Sequence, residues 1–298
     1  MKKLLLLLAL ILCIAITGFT QETNVYTFVV NIVNESFRFP LIGFVNMANG
    51  EHSLPQFGFI NWNTRNFSTL QASFVNTVGG NMSGVQLGFI NTSVGDVNGL
   101  QTGFINTAIN GGQGLQLGFV NTSVQGLQGV QIGFINYADS IENGIPVGFL
   151  SIVRHGGYKA IEYSFSEFHP INIGLKLGVE RFYTTIIAAY NPFEEVVRES
   201  FAMGIGLGSI IPINASFFIN PELISLHSFN NKQTLSFVPN FGYNINQNIS
   251  LTMGPSITWA YDFSDDEPLK PFFSISRHNI NENNDIVIGA RASIRFRF

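Results

Sequence analysis

The 298-residue chain has a single cysteine, Cys13, and its position takes it out of any fold argument. Lys2 and Lys3, the apolar run from Leu4 to Ile16 and the small residues of Thr17-Gly18-Phe19-Thr20 have the form of a secretory signal. That signal covers residues 1–20, with cleavage near Gln21, and Cys13 would leave with it. The exported chain then has no disulfide framework. Leu12 stands before Cys13 where a lipoprotein signal needs a small residue, which argues against lipidation.

Charge is also scarce, at 11% of residues. Loss of Lys2 and Lys3 takes the formal net charge from −4 to −6, so nucleic-acid binding has no electrostatic basis. Past the first twenty residues no apolar run reaches eighteen, which excludes membrane-spanning helices and leaves strands open.

Catalytic and metal-binding patterns are missing too. His52, His155, His169, His227 and His278 are scattered, without ligand spacing. Asp262, Asp265, Asp266 and Glu267 form a short acidic run lacking the glycine and spacing of an EF-hand loop, and read as a solvated loop. Gly204-Ile205-Gly206-Leu207-Gly208 has no Gly-Lys-Ser/Thr ending and sits in strand alternation. No G-x-S-x-G elbow occurs. We therefore assign no catalytic, cofactor-binding or metal-binding residues and expect a protein that is not an enzyme.

What the chain does have is a repeat, along with 30 Gly, 29 Phe and 46% hydrophobic residues. The register GF(I/V)N recurs every fifteen residues, from Gly43-Phe44-Val45-Asn46 through Gly133-Phe134-Ile135-Asn136 to Gly148-Phe149-Leu150-Ser151. Eight units fit without insertion, and Asn31 extends the Asn column to a degenerate ninth. A Gln column precedes each Gly by two positions: Gln56, Gln71, Gln86, Gln101, Gln116 and Gln131.

Alternation around the Gln and clustered Gly, Asn and Ser after the Asn read as strand, then turn. Two architectures accommodate this: a parallel β-solenoid with one unit per coil, or an up-and-down barrel with one unit per strand. Odd and even units do not differ in length or turn composition, which favours the solenoid over residues 21–153. In that reading Phe44, Phe59, Phe74, Phe89, Phe104, Phe119, Phe134 and Phe149 form one buried column filling a thin cross-section. The Gln and Asn columns form amide ladders rather than a sugar- or ice-binding face.

Residues 160–298 change texture. Nine strands are expected, at 160–168, 171–180, 182–190, 200–211, 213–225, 233–243, 248–261, 270–278 and 285–298. One face of each is apolar and the other carries Gly, Ser, Thr and Asn, as in Ile171, Ile173, Leu175, Leu177 against Asn172, Gly174, Lys176, Gly178. This suits a barrel with lipid outside and a polar lumen, or a sandwich with one wet face. Glu162, Glu167, Lys176, Glu180, Glu222 and Arg291 are the charges expected to point inward, as a structural network. Nine strands, however, put the connections Asn191–Glu199 and Phe263–Leu269 at the same end as Phe298, where outer-membrane barrels keep short turns.

Two resemblances follow. The last strand alternates Ile286, Ile288, Ala290, Ala292, Ile294, Phe296, Phe298 with Arg291, Ser293, Arg295, Arg297, and resembles the C-terminal sorting strand of bacterial outer-membrane barrels. That implies the barrel-assembly machinery and outer-membrane lipid as partners. The repeat, closing on Gly144-Ile145-Pro146-Val147-Gly148-Phe149-Leu150-Ser151, is followed by Asn172-Ile173-Gly174-Leu175-Lys176-Leu177-Gly178 and Arg181-Phe182-Tyr183-Thr184. Over roughly residues 40–260 it resembles a family of bacterial surface repeat-containing proteins, although the units here carry Phe where that family has Leu or Val. The resemblance implies an exported, envelope-associated β protein with no assigned reaction. The expected whole is all-β: an N-terminal parallel β-solenoid, then an antiparallel β-barrel in the outer membrane, with a structural or surface-interaction role. A small-solute channel or ligand-binding barrel is the alternative.

Overall fold

A computed structural model describes residues 24–193, 200–229, 232–262, 270–281 and 283–298. The secretory segment and residues 265–267 of the acidic run lie outside them. The described chain forms two compact units, one ending at Gln125 and one beginning at Gly126.

The first unit is a parallel β-solenoid in which each strand pairs with the strand fifteen residues away. Asn76, Asn91 and Asn106 are successive register partners, as are Gln71, Gln86 and Gln101. The degenerate ninth coil is present: Val30–Asn34 pairs in parallel with Val45–Asn49. Val25–Tyr26 then turns back antiparallel on Asn31 and Ile32, closing the open end of the sheet.

The interior differs from the expected one. The phenylalanines are not buried; Phe44, Phe59, Phe74, Phe89, Phe104 and Phe119 are each 43–45% exposed. They stack as a surface ladder with ring centroids 4.9–5.1 Å apart and planes within 3° of parallel. The reason is the small residue that precedes each ring, Ser73 before Phe74 and Gly before the others. A Cβ at Gly88 would lie 2.4 Å from the Ser73 carbonyl oxygen and 2.6 Å from the Asn76 amide, so that position faces the crowded inside and sends Phe89 outward.

The inside is filled by amides and small apolar groups. The Gln and Asn columns are buried from end to end, and Phe67, Val78, Met82, Val97 and Ala108 form a buried apolar cluster. From Gln71 to Gln116 each Gln donates backward, as Gln86 Nε2 to Gln71 Oε1 at 2.8 Å and Gln101 Nε2 to Gln86 Oε1 at 2.7 Å. Each Asn donates forward, as Asn76 Nδ2 to Asn91 Oδ1 and Asn91 Nδ2 to Asn106 Oδ1, both at 2.9 Å. The same Asn amides also cap main-chain carbonyls, Asn91 reaching Thr102 O at 2.9 Å. Buried amides satisfied in this way are not exposed for a ligand.

The second unit opens with two further coil strands, Val130–Ser140 and Ile145–His155, paired in parallel with the same fifteen-residue offset. Gly156, at φ 75°, and Gly157 then turn the chain into an antiparallel barrel. Its wall has eight strands, not nine: β1 (Tyr158–Phe165), β2 (Ile171–Val179), β3 (Phe182–Tyr190), β4 (Phe201–Gly208), β5 (Phe217–Ser228), β6 (Lys232–Asn244), β7 (Ile249–Asp262) and β8 (Asn284–Arg297). Each pairs with the next, and β8 closes on β1 through Ala160↔Arg297 to Phe165↔Ala292.

The supposed ninth strand, Ser276–Asn281, pairs with the far end of β8 on the side that β1 vacates. It extends the β1 edge instead of adding to the circumference. With eight strands, the connections Tyr190-to-Phe201 and Asp262-to-Asn284 leave from the end opposite Phe298, and the conflict over loop placement disappears.

Candidate functional site

Alternation puts one residue in two of every barrel strand into the lumen, and a lumen this narrow is filled by side chains. Glycines on the inner face make room for large neighbours. A Cβ at Gly208 would meet the Tyr183 ring at 2.4 Å, and one at Gly242 would meet the Phe218 ring at 2.2 Å. Gly204-Ile205-Gly206-Leu207-Gly208 is therefore a packing strand of the wall, with its isoleucine and leucine outside.

The filling comes in layers. Nearest the rim that holds Phe298, Tyr158, Ala160, Tyr183, Ile210 and Phe218 pack together. Above them lies a buried charge cluster. Lys176 bonds Glu222 and lies 3.3 Å from Glu162. Arg295 bonds both Glu162 and the side-chain Oδ1 of Asn220, and its guanidinium stands 3.5 Å from Glu222. Arg291 reaches Ser164 at 2.7 Å and Glu162 at 3.3 Å. Tyr183 donates to Glu222 at 2.6 Å, Asn240 donates to the other Glu222 oxygen at 3.1 Å, and Lys176 stands 5.0 Å from the Tyr183 ring centre.

The next layer is apolar, with Ile187, Ala189, Ala202, Ile224, Leu226 and Val238. At the far end the β1–β2 connection folds into the lumen instead of over it. Phe168 packs on Ala260 and Val287, and Glu167 accepts a hydrogen bond from Thr258 at 2.5 Å. His169 is buried there, and burial lowers its imidazole pKa to about 4. A small cavity of about 10 Å³ remains beside Glu167, Ser256 and Arg291, enough for roughly one water.

Of the six charges expected inside, Glu162, Glu167, Lys176, Glu222 and Arg291 are there. Glu180 is not: it is half exposed at the β2–β3 turn and pairs with Arg297 at 2.8 Å. Arg295 was overlooked, although it lies in the same alternating column as Arg291 and is fully buried. The chemistry open to this cluster is narrow. Both carboxylates of its centre are held by at least two cations, so the arrangement staples β1, β2, β5 and β8 across the lumen. Buried ion pairs of this kind survive only when every partner is present.

The histidines do not converge. His52 lies inside the solenoid, His155 stands 3.4 Å from Asp139, and His227 and His278 belong to different strands. Asp262 is buried at the end of β7, 4.0 Å from Lys232.

The outer wall carries Ile173, Leu175, Ile205, Leu207, Leu223 and Ile257, all 37–52% exposed. Aromatic pairs border it at both ends. Tyr190 and Phe201 lie 4.7 Å apart near the upper rim, and Phe217 and Tyr243 lie 5.2 Å apart near the rim of Phe298. One patch of this wall is covered. Thr184 points outward between Leu177 and Leu207 yet is only 3% exposed, because the coil strand Ile145–His155 packs on β2 and β3 there.

No protein-family model matches the chain, and no curated protein matches it. Among solved structures it is similar to Neisserial surface protein A at 9% identity, covering 48% of this chain and 97% of that one with a TM-score of 0.28. It is also similar to the KdgM porin in complex with disordered oligogalacturonate, at 10% identity over 47% of this chain and 99% of that one, with a TM-score of 0.23. At scores this low, the likenesses add nothing to the closed eight-strand geometry described above.

Proposed function

We propose that this is a non-enzymatic outer-membrane protein whose barrel is a lipid-embedded anchor for the repeat block. One observation carries the reading: an outward apolar belt bordered by aromatic pairs surrounds a lumen packed with buried charge. A water-soluble barrel would invert that pattern. Outer-membrane lipid is the partner of the belt, and the alternating strand ending at Phe298 is the segment offered to the barrel-assembly machinery.

The even strand number supports an orientation. The chain enters β1 at the rim where Phe298 ends, and the two long connections leave from the other. With short turns on the periplasmic side, as is usual, the coil strand Ile145–His155 rests against the barrel at the periplasmic rim. That position favours a structural role inside the envelope over one at the cell surface. The filled lumen argues against the channel reading. Membrane fractionation of cells making the full chain tests the anchor, and soluble recovery in the periplasm would sink it. Planar bilayers test the lumen, and the expected result is insertion without steady conductance.

A further inference from the structure

The barrel wall has a weak place. Pro221, Pro239 and Pro255 face outward on three successive strands, with Pro221 directly opposite Pro239. Proline brings no N–H to a ladder. Pairing of β6 with β7 runs from Lys232↔Asp262 to Phe237↔Ile257, then resumes only at Phe241↔Met253. On the next strand Pro255 lies opposite Ala290. There β8 loses its other neighbour: β1 stops at Phe165↔Ala292, and Ser276–Asn281 takes over only at Ile288. Gly289, Ala290 and Arg291 are thus paired on one side alone.

The outer surface at that seam is a groove of about 520 Å³, lined chiefly by Phe165, Met253, Pro255, Phe273, Ala290 and Ala292. It has a cause in the fold. Because Ser166 to His169 turn into the lumen, β1 leaves the wall early, and Phe273 returns to stack on Phe165 at 5.4 Å, forming one bank. Small residues form the floor. Arg291 gives the groove no polar foot, since its guanidinium points inward to Ser164 and Glu162.

We infer that this seam groove is a binding site for one fatty-acyl chain, held against the small-residue floor between the Phe165–Phe273 bank and Met253. The volume falls within the range of small-ligand sites, and the lining is almost wholly carbon, so charged headgroups and peptides are poor occupants. The groove is continuous with the outward apolar belt and therefore opens to lipid, which supplies the occupant. This rests on the membrane-anchor reading above. The occupant is one tail of a bilayer phospholipid, because the groove opens onto the apolar belt that bilayer lipid surrounds; a free fatty acid is a competing outcome of the test.

The full chain, refolded in lipid-free maltoside, is given either oleic acid or dioleoyl phosphatidylglycerol and examined by native mass spectrometry after detergent removal in the gas phase. The wild type should retain one dioleoyl phosphatidylglycerol molecule, and retention of oleic acid alone overturns the phospholipid tail as occupant. Ala292→Phe, or Ala290→Leu if that variant fails to refold, should lower retention at least tenfold. Ile205→Phe on the belt away from the seam should not. Refolding is checked by heat-modifiable gel migration. Retention of detergent alone, or equal retention in wild type and the Ala292 and Ala290 variants, overturns the groove. Failure to insert into dioleoyl phosphatidylglycerol vesicles would instead overturn the anchor on which it rests.

Discussion

Thr184 on the outer wall of β3 donates a hydrogen bond to the carbonyl of Gly148 at 2.5 Å, fastening the last coil strand to the barrel. Thr184→Val keeps the shape and leaves that carbonyl unsatisfied, at a cost of about 1 kcal/mol. The expected readout is faster trypsin cleavage at Arg154 or Lys159, with barrel migration on gels unchanged. Equal cleavage rates would remove the contact from any fastening role.

The buried amides, and not the aromatic ladder, should hold the solenoid. Phe104→Ala removes a 44%-exposed ring with two stacking partners and should cost ~1 kcal/mol. Asn106→Ala strips partners from Asn91, Asn121 and the Leu117 carbonyl, and should cost ~2–4 kcal/mol. Chemical denaturation of the two variants ranks them. The opposite order would mean that the ladder, and not the interior, carries the coil.

Glu162 is the anion that holds Lys176, Arg291 and Arg295 together. Glu162→Gln leaves three buried cations facing one central carboxylate, Glu222, and should destabilise the barrel by ~3–5 kcal/mol. The shift from folded to unfolded gel migration should come at a lower temperature. An unchanged transition would show that the lumen relaxes freely around the lost charge.

Acid should loosen the connection that plugs the upper end. Burial lowers the His169 pKa to about 4 from an ordinary 6.5, so the folded plug prefers the neutral ring. Its contribution is complete above pH 6.5 and is lost as pH falls toward 4, by up to ~3 kcal/mol. Amide protection factors of Ser166 to Asn172, with the intrinsic pH dependence of exchange divided out, should fall across that window in the wild type and stay flat in His169→Gln. A pH response shared by the variant would move the cause elsewhere.

Much of this was legible in the chain. The fifteen-residue period fixed parallel pairing, because only equal returns leave Asn over Asn and Gln over Gln. The inward charges followed from alternation, and Arg295 was as legible as Arg291. The direction of the phenylalanines was not. Hydrophobicity says inside, but the small residue before each Phe, Gly in seven units and Ser73 in the other, takes the inward position beside the Asn column, and no composition rule reveals that crowding. The strand count failed for a similar reason. Residues 160–168 read as one strand, yet Ser166 to His169 turn inward to bury Phe168, and the vacated edge is taken by Ser276–Asn281, which alternation cannot tell from a wall strand.

The opposed amide ladders bear on how long such a rod can be. From Gln71 to Gln116 each Gln side chain donates toward the N-terminal end while the neighbouring Asn column donates toward the C-terminal end, so the two side-chain dipoles point against one another in those coils. Adding a unit that carries both amides therefore adds little side-chain moment along the axis, unlike the growing macrodipole of a helix. Electrostatically a seventh coil costs no more than a third. Copy number is then free to drift by duplication or loss of whole fifteen-residue units, and the array behaves as a ruler whose length can be reset without retuning its ends.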